Sequence, residues 1–395
     1  MKASIYRYAI LFAALPAMLH AASPPVNTTS PLWKKHVVIE GAKTGINSAL
    51  ANDWNGDGKM DVIASFNKQV VVFSGPQWTP HVVHTFSAEN SRRKLGSNCI
   101  HSCLIDVDQD GDMDFIGSNQ VLFWLECPDN PLDGTPWIWH LIDDQLSGSH
   151  CVLPGDVNAD GKMDLIANSF QTPDKTPFPY SIAWLEIPRN PRTAPVWIRH
   201  VFAGGDAPGG NHYMGMADVN KDGRPDIACG AKGGDKFPNG EWFAWWEQPE
   251  KGLLPWKKHL LADNQPGATN ILPADLNGDG HMDWFASRGH GQGVLWFKGP
   301  HFTWTEIDPT IAFPHSLALA DLDNDGDTDA VTCGSKTDGE AVWYENDGKA
   351  QFTRHTIARN QGSYDTRVID MDGDGDLDVL IAGHGNKNIV WLEQP

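Results

Sequence analysis

The chain has 395 residues, with 50 Asp and Glu against 30 Lys and Arg and a formal charge of −20 at pH 7. So acidic a balance excludes nucleic acid as an expected partner. The 39 Gly, 27 Pro and 17 Trp are spread along the whole length, which describes one loop-rich domain rather than several joined by linkers.

Residues 1–22 carry Lys2 and Arg7, an apolar run from Ala9 to Leu19, and then Ala21 and Ala22, the pattern of a secretory signal peptide. The expected location is therefore secreted or periplasmic. No later apolar run approaches the roughly 20 residues that span a bilayer, so no membrane span is expected. Residues 23–32 read as a linker. Six cysteines in an exported chain permit disulfides, with Cys99 and Cys103 the nearest pair; free buried thiols are the alternative.

From residue 33 to 395 one unit repeats. It begins with an outer-type strand, WKKHVV at Trp33–Val38. Seven units follow, each marked by an acidic loop: DWNGDGKMD from Asp53, DVDQDGDMD from Asp106, DVNADGKMD from Asp156, DVNKDGRPD from Asp218, DLNGDGHMD from Asp275, DLDNDGDTD from Asp321 and DMDGDGDLD from Asp370. A short apolar strand precedes each loop (SALAN, SLALA) and a second follows it (DVIAS, DLIAN). A third is rich in Trp and Phe (VLFWLECP, FAWWEQP). A fourth runs from an aromatic residue to histidine (WIWHLI, WKKHLL). Four short strands per period of about 50 residues, bounded by Gly, Pro, Asn and Asp, predict a propeller blade. The seventh unit stops after its third strand, and WKKHVV supplies the missing fourth. The expected fold is all-β, a seven-bladed β-propeller of four-stranded blades closed by pairing the N-terminal strand with the C-terminal blade, which would remove exposed sheet edges.

In DVNADGKMD the side chains at positions 1, 3, 5 and 9 are Asp156, Asn158, Asp160 and Asp164, all oxygen donors around the turn at Gly161. Oxygen-only ligands on alternate residues of a tight loop suit calcium. An EF-hand would place Glu at position 12, where Ala167 stands, and would have helical flanks.

Seven such loops on β units resemble the FG-GAP or VCBS repeats of integrin-like propellers over residues 33–395. The resemblance implies up to seven structural Ca²⁺ ions. It carries the ligand role over to Asp53, Asn55, Asp57 and Asp61, to Asp106, Asp108, Asp110 and Asp114, and to Asp218, Asn220, Asp222 and Asp226. Likewise it implies Asp275, Asn277, Asp279 and Asp283, then Asp321, Asp323, Asp325 and Asp329, and last Asp370, Asp372, Asp374 and Asp378.

In a propeller these loops share one face, and the segments entering the innermost strands share the other. Asn47, His101, His150, His212, Asn270, His315 and Asp365 stand at those entries. Tyr180, Tyr213 and Tyr364 lie nearby. Turns between second and third strands add Lys232, Lys236, Arg288, His290, Lys336 and His384, and the entry loop before His101 adds Arg92, Arg93 and Lys94. Converging imidazoles could hold a transition metal such as Zn²⁺ at the channel mouth or act as general bases. His36, His81, His140, His200, His259 and His355 recur on the outer strands and read as structural.

No hydrolase elbow, P-loop or dinucleotide fingerprint is present. Cations, imidazoles and tyrosines around a polar mouth suit a sugar or uronate, and a His base beside an enolate stabiliser suits β-elimination. The expected catalytic residues are His101, His150, His212, His315 and Tyr213. The expected substrate contacts are Arg92, Arg93, Lys232, Arg288, His290, Asp365 and His384. The chain also resembles the propeller part of aldos-2-ulose and anhydrofructose dehydratases and the propeller polysaccharide lyases, without the cupin domains of the dehydratases. The expectation is a carbon–oxygen lyase acting on carbohydrate, the alternative a non-catalytic propeller of adhesion type that binds glycan or protein. Nothing in the sequence fixes an oligomeric state.

Overall fold

A computed structural model describes residues 24–25, 31–87, 98–250 and 254–395. The signal-peptide expectation at 1–22, most of the 23–32 linker, and Arg92, Arg93 and Lys94 lie outside the described residues.

The described residues form strands and no helix, gathered in seven four-stranded sheets. Blade 1 contains β2 (Ala49–Asn52), β3 (Asp61–Phe66), β4 (Gln69–Ser74) and β5 (Thr79–Thr85). Blade 2 contains β6 (His101–Ile105), β7 (Asp114–Ser118), β8 (Leu122–Glu126) and β9 (Ile138–Asp143). Blade 3 contains β10 (Val152–Gly155), β11 (Asp164–Ser169), β12 (Ser181–Glu186) and β13 (Ile198–Ala203). Blade 4 contains β14 (Asn211–Ala217), β15 (Asp226–Ala231), β16 (Trp242–Glu247) and β17 (Lys257–Ala262). Blade 5 contains β18 (Asn270–Ala274), β19 (Asp283–Ser287), β20 (Gln292–Lys298) and β21 (Thr303–Ala312). Blade 6 contains β22 (Pro314–Ala320), β23 (Asp329–Gly334), β24 (Glu340–Glu345) and β25 (Thr353–Arg359). Blade 7 joins β26 (Asp365–Ile369), β27 (Asp378–Gly383) and β28 (Asn388–Glu393) to β1 (Lys34–Ile39).

Neighbouring strands pair antiparallel, and the first strands of successive blades touch all the way round: β2 with β6, β6 with β10, and so on to β26 with β2. They therefore surround a central axis. β1 lies beside β28, with Lys34 opposite Glu393 and His36 opposite Trp391. The interior is a ring of apolar clusters between blades. Trp184 meets Trp246 between blades 3 and 4, and Leu380 and Trp391 meet Val62 and Phe73 between blades 7 and 1. Second strands such as DVIASF are buried at every residue, which is why they read as continuous apolar runs.

The outer-strand histidines are structural fittings. His140 stacks on Trp124 with ring centroids 4.3 Å apart, and its Nε2 lies 2.7 Å from Glu126. The same Trp–His–Glu arrangement recurs at His36, His200, His259 and His355. All six cysteines are free and buried. Cys99 and Cys103 do not pair, because Cys99 packs into the core between blades 1 and 2 and Cys103 into that between blades 2 and 3. No helix of the described residues is long and apolar enough to cross a membrane.

Each acidic loop is the hairpin between a blade's first and second strands. In the first loop Asp53 accepts the N–H groups of Asp57 and Gly58, at 3.1 and 2.8 Å. The sixth residue is a glycine with positive φ in every loop, Gly58 at +80° for example, a conformation that costs glycine little. The ninth residue closes the blade. Asp226 accepts Val219 N–H and Gln248 N–H at 3.3 and 2.9 Å, tying the loop to the end of β16. Asp61, Asp114, Asp283, Asp329 and Asp378 do the same.

Candidate functional site at the channel mouth

At the end of the channel away from the acidic loops, three histidines from three blades meet. One ring nitrogen from each of His212, His290 and His315 lies within 4.8 Å of the others. His212 Nε2 is 2.9 Å from His290 Nε2. His212 Nδ1 lies 2.9 Å from Gly210 O, and His315 Nδ1 3.3 Å from Tyr364 O. A carbonyl can only accept, so both rings carry their proton on Nδ1 and present the Nε2 lone pair. His315 Nε2 is buried with no hydrogen-bond partner. Neutral imidazoles oriented by backbone carbonyls form a donor set that fits a transition cation of the zinc class.

The approach of these segments depends on glycine. His290 sits in the turn between β19 and β20, and a Cβ on Gly289 would fall 2.6 Å from His315 Cα. Any larger residue would force the turn away from β22.

Burial is the largest influence on every imidazole here. It holds His212 and His315 well below the ordinary histidine range, helped by the neighbouring rings. His290 is lowered to about 4 by desolvation, then by the charges of Lys232 and Lys336. His150, whose ring centroid is 4.4 Å from that of His212, is lowered to about 3 by burial and then Lys232. All are neutral at pH 7. Lys232 rests on the Phe237 ring at 4.4 Å and Lys336 on Phe313 at 4.6 Å. Among the described residues neither lysine has a carboxylate within ion-pair distance. Two uncompensated ammonium groups therefore flank the imidazoles of a strongly acidic protein.

A family model described as FG-GAP-like repeat matches residues 53–117, 218–286, 275–332 and 321–381, more than half of the chain. The chain belongs to the FG-GAP-like repeat family. No curated protein matches it. Among solved structures this FG-GAP-like chain is similar to BBS1N in complex with ARL6DN, soaked with lead, at 10% identity and a TM-score of 0.59, covering 91% of this chain and 96% of that one. It is also similar to an Agrocybe aegerita lectin that recognises non-reducing terminal N-acetylglucosamine, at 18% identity and a TM-score of 0.51, covering 89% and 86%. At these identities the likeness is one of fold.

Beneath the FG-GAP-like propeller's three histidines lies a second polar layer. Tyr213 O–H donates to Tyr364 O at 3.2 Å, and burial raises its pKa well above the ordinary tyrosine value. His101 belongs to this layer. Its Nδ1 accepts Val152 N–H at 3.2 Å and its Nε2 faces the Arg367 guanidinium at 3.1 Å, which together with burial lowers it to about 4. Arg367 pairs in turn with Asp365, which accepts Ser48 O–H at 2.7 Å. The layer caps a channel cavity of about 470 Å³ whose remaining wall is mainly apolar, including Leu50, Leu153 and Leu317.

The structure thus separates the expected site residues. His212 and His315 meet as expected and His150 lies against His212, but His101 stands one layer down. Counted back from the first aspartate of its loop, His101 is the fifth residue, whereas His150, His212 and His315 are the sixth. His290 takes a place among the converging imidazoles. Arg288 is committed to Glu306, Gln265 Oε1 and Gln292 O, and Asp365 to Arg367 and Ser48, so neither is free for substrate. The His384 ring is tilted against that of Tyr364, with centroids 4.8 Å apart, and its Nδ1 faces Asn47 Oδ1 at 2.5 Å. Arg367 was not singled out from the sequence. Its signal was there: at its position in the other six inner strands stand Leu50, Cys103, Leu153, Gly215, Leu272 and Ala318, all uncharged.

On the other face, the acidic loops offer oxygen donors to a cation. Carboxylate oxygens of Asp106, Asp108 and Asp114 lie within 4.8 Å of one another, as do those of Asp321, Asp323 and Asp325, and of Asp370, Asp372 and Asp374. Asp106 Oδ1 and Asp327 Oδ1 are buried and accept no hydrogen bond, whereas Asp108 Oδ2 is met by Arg192 at 2.7 Å. Burial and the neighbouring carboxylates push Asp327 up to about 6. A hard divalent cation suits both features.

Proposed function

We propose that this protein is an exported, calcium-stabilised propeller that catalyses β-elimination on a carboxylate-bearing or keto sugar at the channel mouth. The observation that carries the reading is the meeting of His212, His290 and His315, two of them fixed with their lone pairs on Nε2 and that of His315 without a partner, flanked by two unpaired lysines.

A zinc-class cation held by these three imidazoles would polarise the carboxylate or carbonyl oxygen of the sugar and stabilise charge that develops on it. The protein's own groups divide the rest. Lys232 and Lys336 attract and orient an anionic substrate. That anion in turn offsets the positive field that lowers His150, so binding makes His150 a better base. His150 then takes the proton from the carbon next to the carbonyl group. The electron pair forms the new C=C bond as the β C–O bond breaks. The departing oxygen takes its proton from water, since the Tyr213 O–H is engaged by Tyr364 O in the layer beneath.

The second reading, a glycan-binding module without catalysis, is favoured by one observation: the lectin named above shares the propeller fold. A single experiment separates the two. The protein is incubated with a uronate polymer and with a keto sugar, and the ultraviolet absorbance of an unsaturated product is followed. Absorbance should rise with the wild type, and His150→Ala should lower the rate by about 10²-fold or more. Sugar binding without any rise in absorbance would establish the binding module, and full activity in His150→Ala would remove His150 from the mechanism.

A further inference from the structure

Below the polar layer the channel encloses about 470 Å³, within the range of about 300–1,000 Å³ that small-molecule sites occupy. Leu153, Leu272, Leu319 and Val368 stand in its wall. The wall reaches Ala320 and Ile369, the last residues of β22 and β26, so the outer end of the cavity lies at the acidic face. An apolar wall offers water few hydrogen-bond partners, and cavities of that kind take up apolar molecules.

One cation stands at the inner end. The Arg367 side chain is 35% exposed, and because it sits on an inner strand and lines the cavity, the surface it exposes is the cavity's own. Its Nε pairs with Asp365 at 3.1 Å, and its Nη2 lies 3.1 Å from His101 Nε2 and 3.3 Å from Ser102 O. Among the described residues Nη1 has no hydrogen-bond partner. Other polar groups of this end direct their donors at the protein: Tyr213 at Tyr364 O, Asn270 at His315 O and Ser316 at Ser363 Oγ. An apolar cavity therefore ends on a guanidinium with one N–H group left over.

Charge disfavours both kinds of ion as the occupant. Asp365 lines the same cavity and already compensates Arg367, so a carboxylate approaching Nη1 meets a like charge beside it, and the acidic loops at the outer end add to that repulsion. An ammonium group would be driven against Arg367 itself. Either ion would also lose its hydration to an apolar wall. We propose that the channel binds an uncharged, largely apolar molecule that carries one acceptor oxygen, with that oxygen on Arg367 Nη1 and the apolar body along the leucines. This site is separate from the imidazoles at the mouth, since the polar layer lies between them, and neither reading depends on the other.

The test is fluorescence titration of the whole chain with Prodan, an uncharged naphthalene with one ketone oxygen whose emission moves to the blue in apolar surroundings. Binding should saturate at one equivalent. Methyl heptyl ketone should displace the dye at least about tenfold more effectively than nonanoate or nonylammonium, which differ from it chiefly in the charge of the head. Ala318→Trp, which fills the cavity from β22, should abolish binding. Replacing Arg367→Met together with Asp365→Asn removes the donor and its counter-charge at once and should weaken binding about five- to tenfold. Absence of saturable binding, displacement by either ion as effective as by the ketone, or affinity unchanged in either variant overturns the proposal. If a variant fails to fold, the wild-type titration and competition decide alone.

Discussion

A buried imidazole is a proton-sensitive part, and the mouth of this channel assembles several of them within a few ångströms. His101 is lowered to about 4 and His150 to about 3, from an ordinary value of 6.5, in each case first by burial. A lowered folded-state pKa contributes stability that is present above pH 6.5 and is lost as the pH falls toward the folded value. The protein should therefore melt several degrees lower at pH 5 than at pH 7.5. Saturating calcium in both melts keeps the loop aspartates ionised; their shifts run the opposite way. A melting temperature that is unchanged or higher at pH 5 would mean that the imidazoles are solvated. The residue scale is also where the sequence was least legible. It placed His150, His212 and His315 at one end of the channel, but a strand alternates its faces with period two, so the one-residue offset of His101 sends it to Arg367 and away from His212. Likewise, only the fold shows that Gly289 lets His290 approach His315.

The hairpin that carries the acidic loop has two separable parts. Its first, third and fifth positions are the oxygen donors a cation would meet; its ninth is interior and serves the backbone. Asp226 is fully buried and accepts two main-chain N–H groups, those of Val219 and Gln248. Asp226→Ala should cost on the order of 2–4 kcal/mol in denaturant unfolding in the presence of chelator, because both donors lose their acceptor. Asp222→Ala, at the exposed fifth position of the same loop, should then be nearly neutral. Equal effects of the two replacements in chelator would show that the two main-chain hydrogen bonds of Asp226 contribute no more than the exposed carboxylate does. At this scale the sequence was legible almost throughout, since seven loops in phase set the strand boundaries by repetition. The double duty of the ninth aspartate stayed hidden, because its second hydrogen-bond donor, Gln248 N–H for Asp226, lies beyond the third strand of the blade.

As a whole molecule, the propeller keeps two kinds of chemistry apart. Hard oxygen donors with most of the ordered acidic charge occupy the hairpins on one face. Neutral nitrogen donors flanked by Lys232 and Lys336 occupy the mouth on the other, and a mostly apolar channel lies between. Soft and hard donor sets select different ions, so under the proposed function calcium and a zinc-class metal would be bound and removed independently. The periodicity made the two faces visible, whereas which blades meet across the mouth depends on the radial order of seven strands around one axis. The most direct test of this division is the metal content of protein dialysed against calcium and trace zinc. The wild type should retain one equivalent of zinc, and the His212→Ala, His315→Ala double variant none, with calcium content unchanged. No retained zinc in the wild type, or zinc unaffected by the double replacement, would contradict the account.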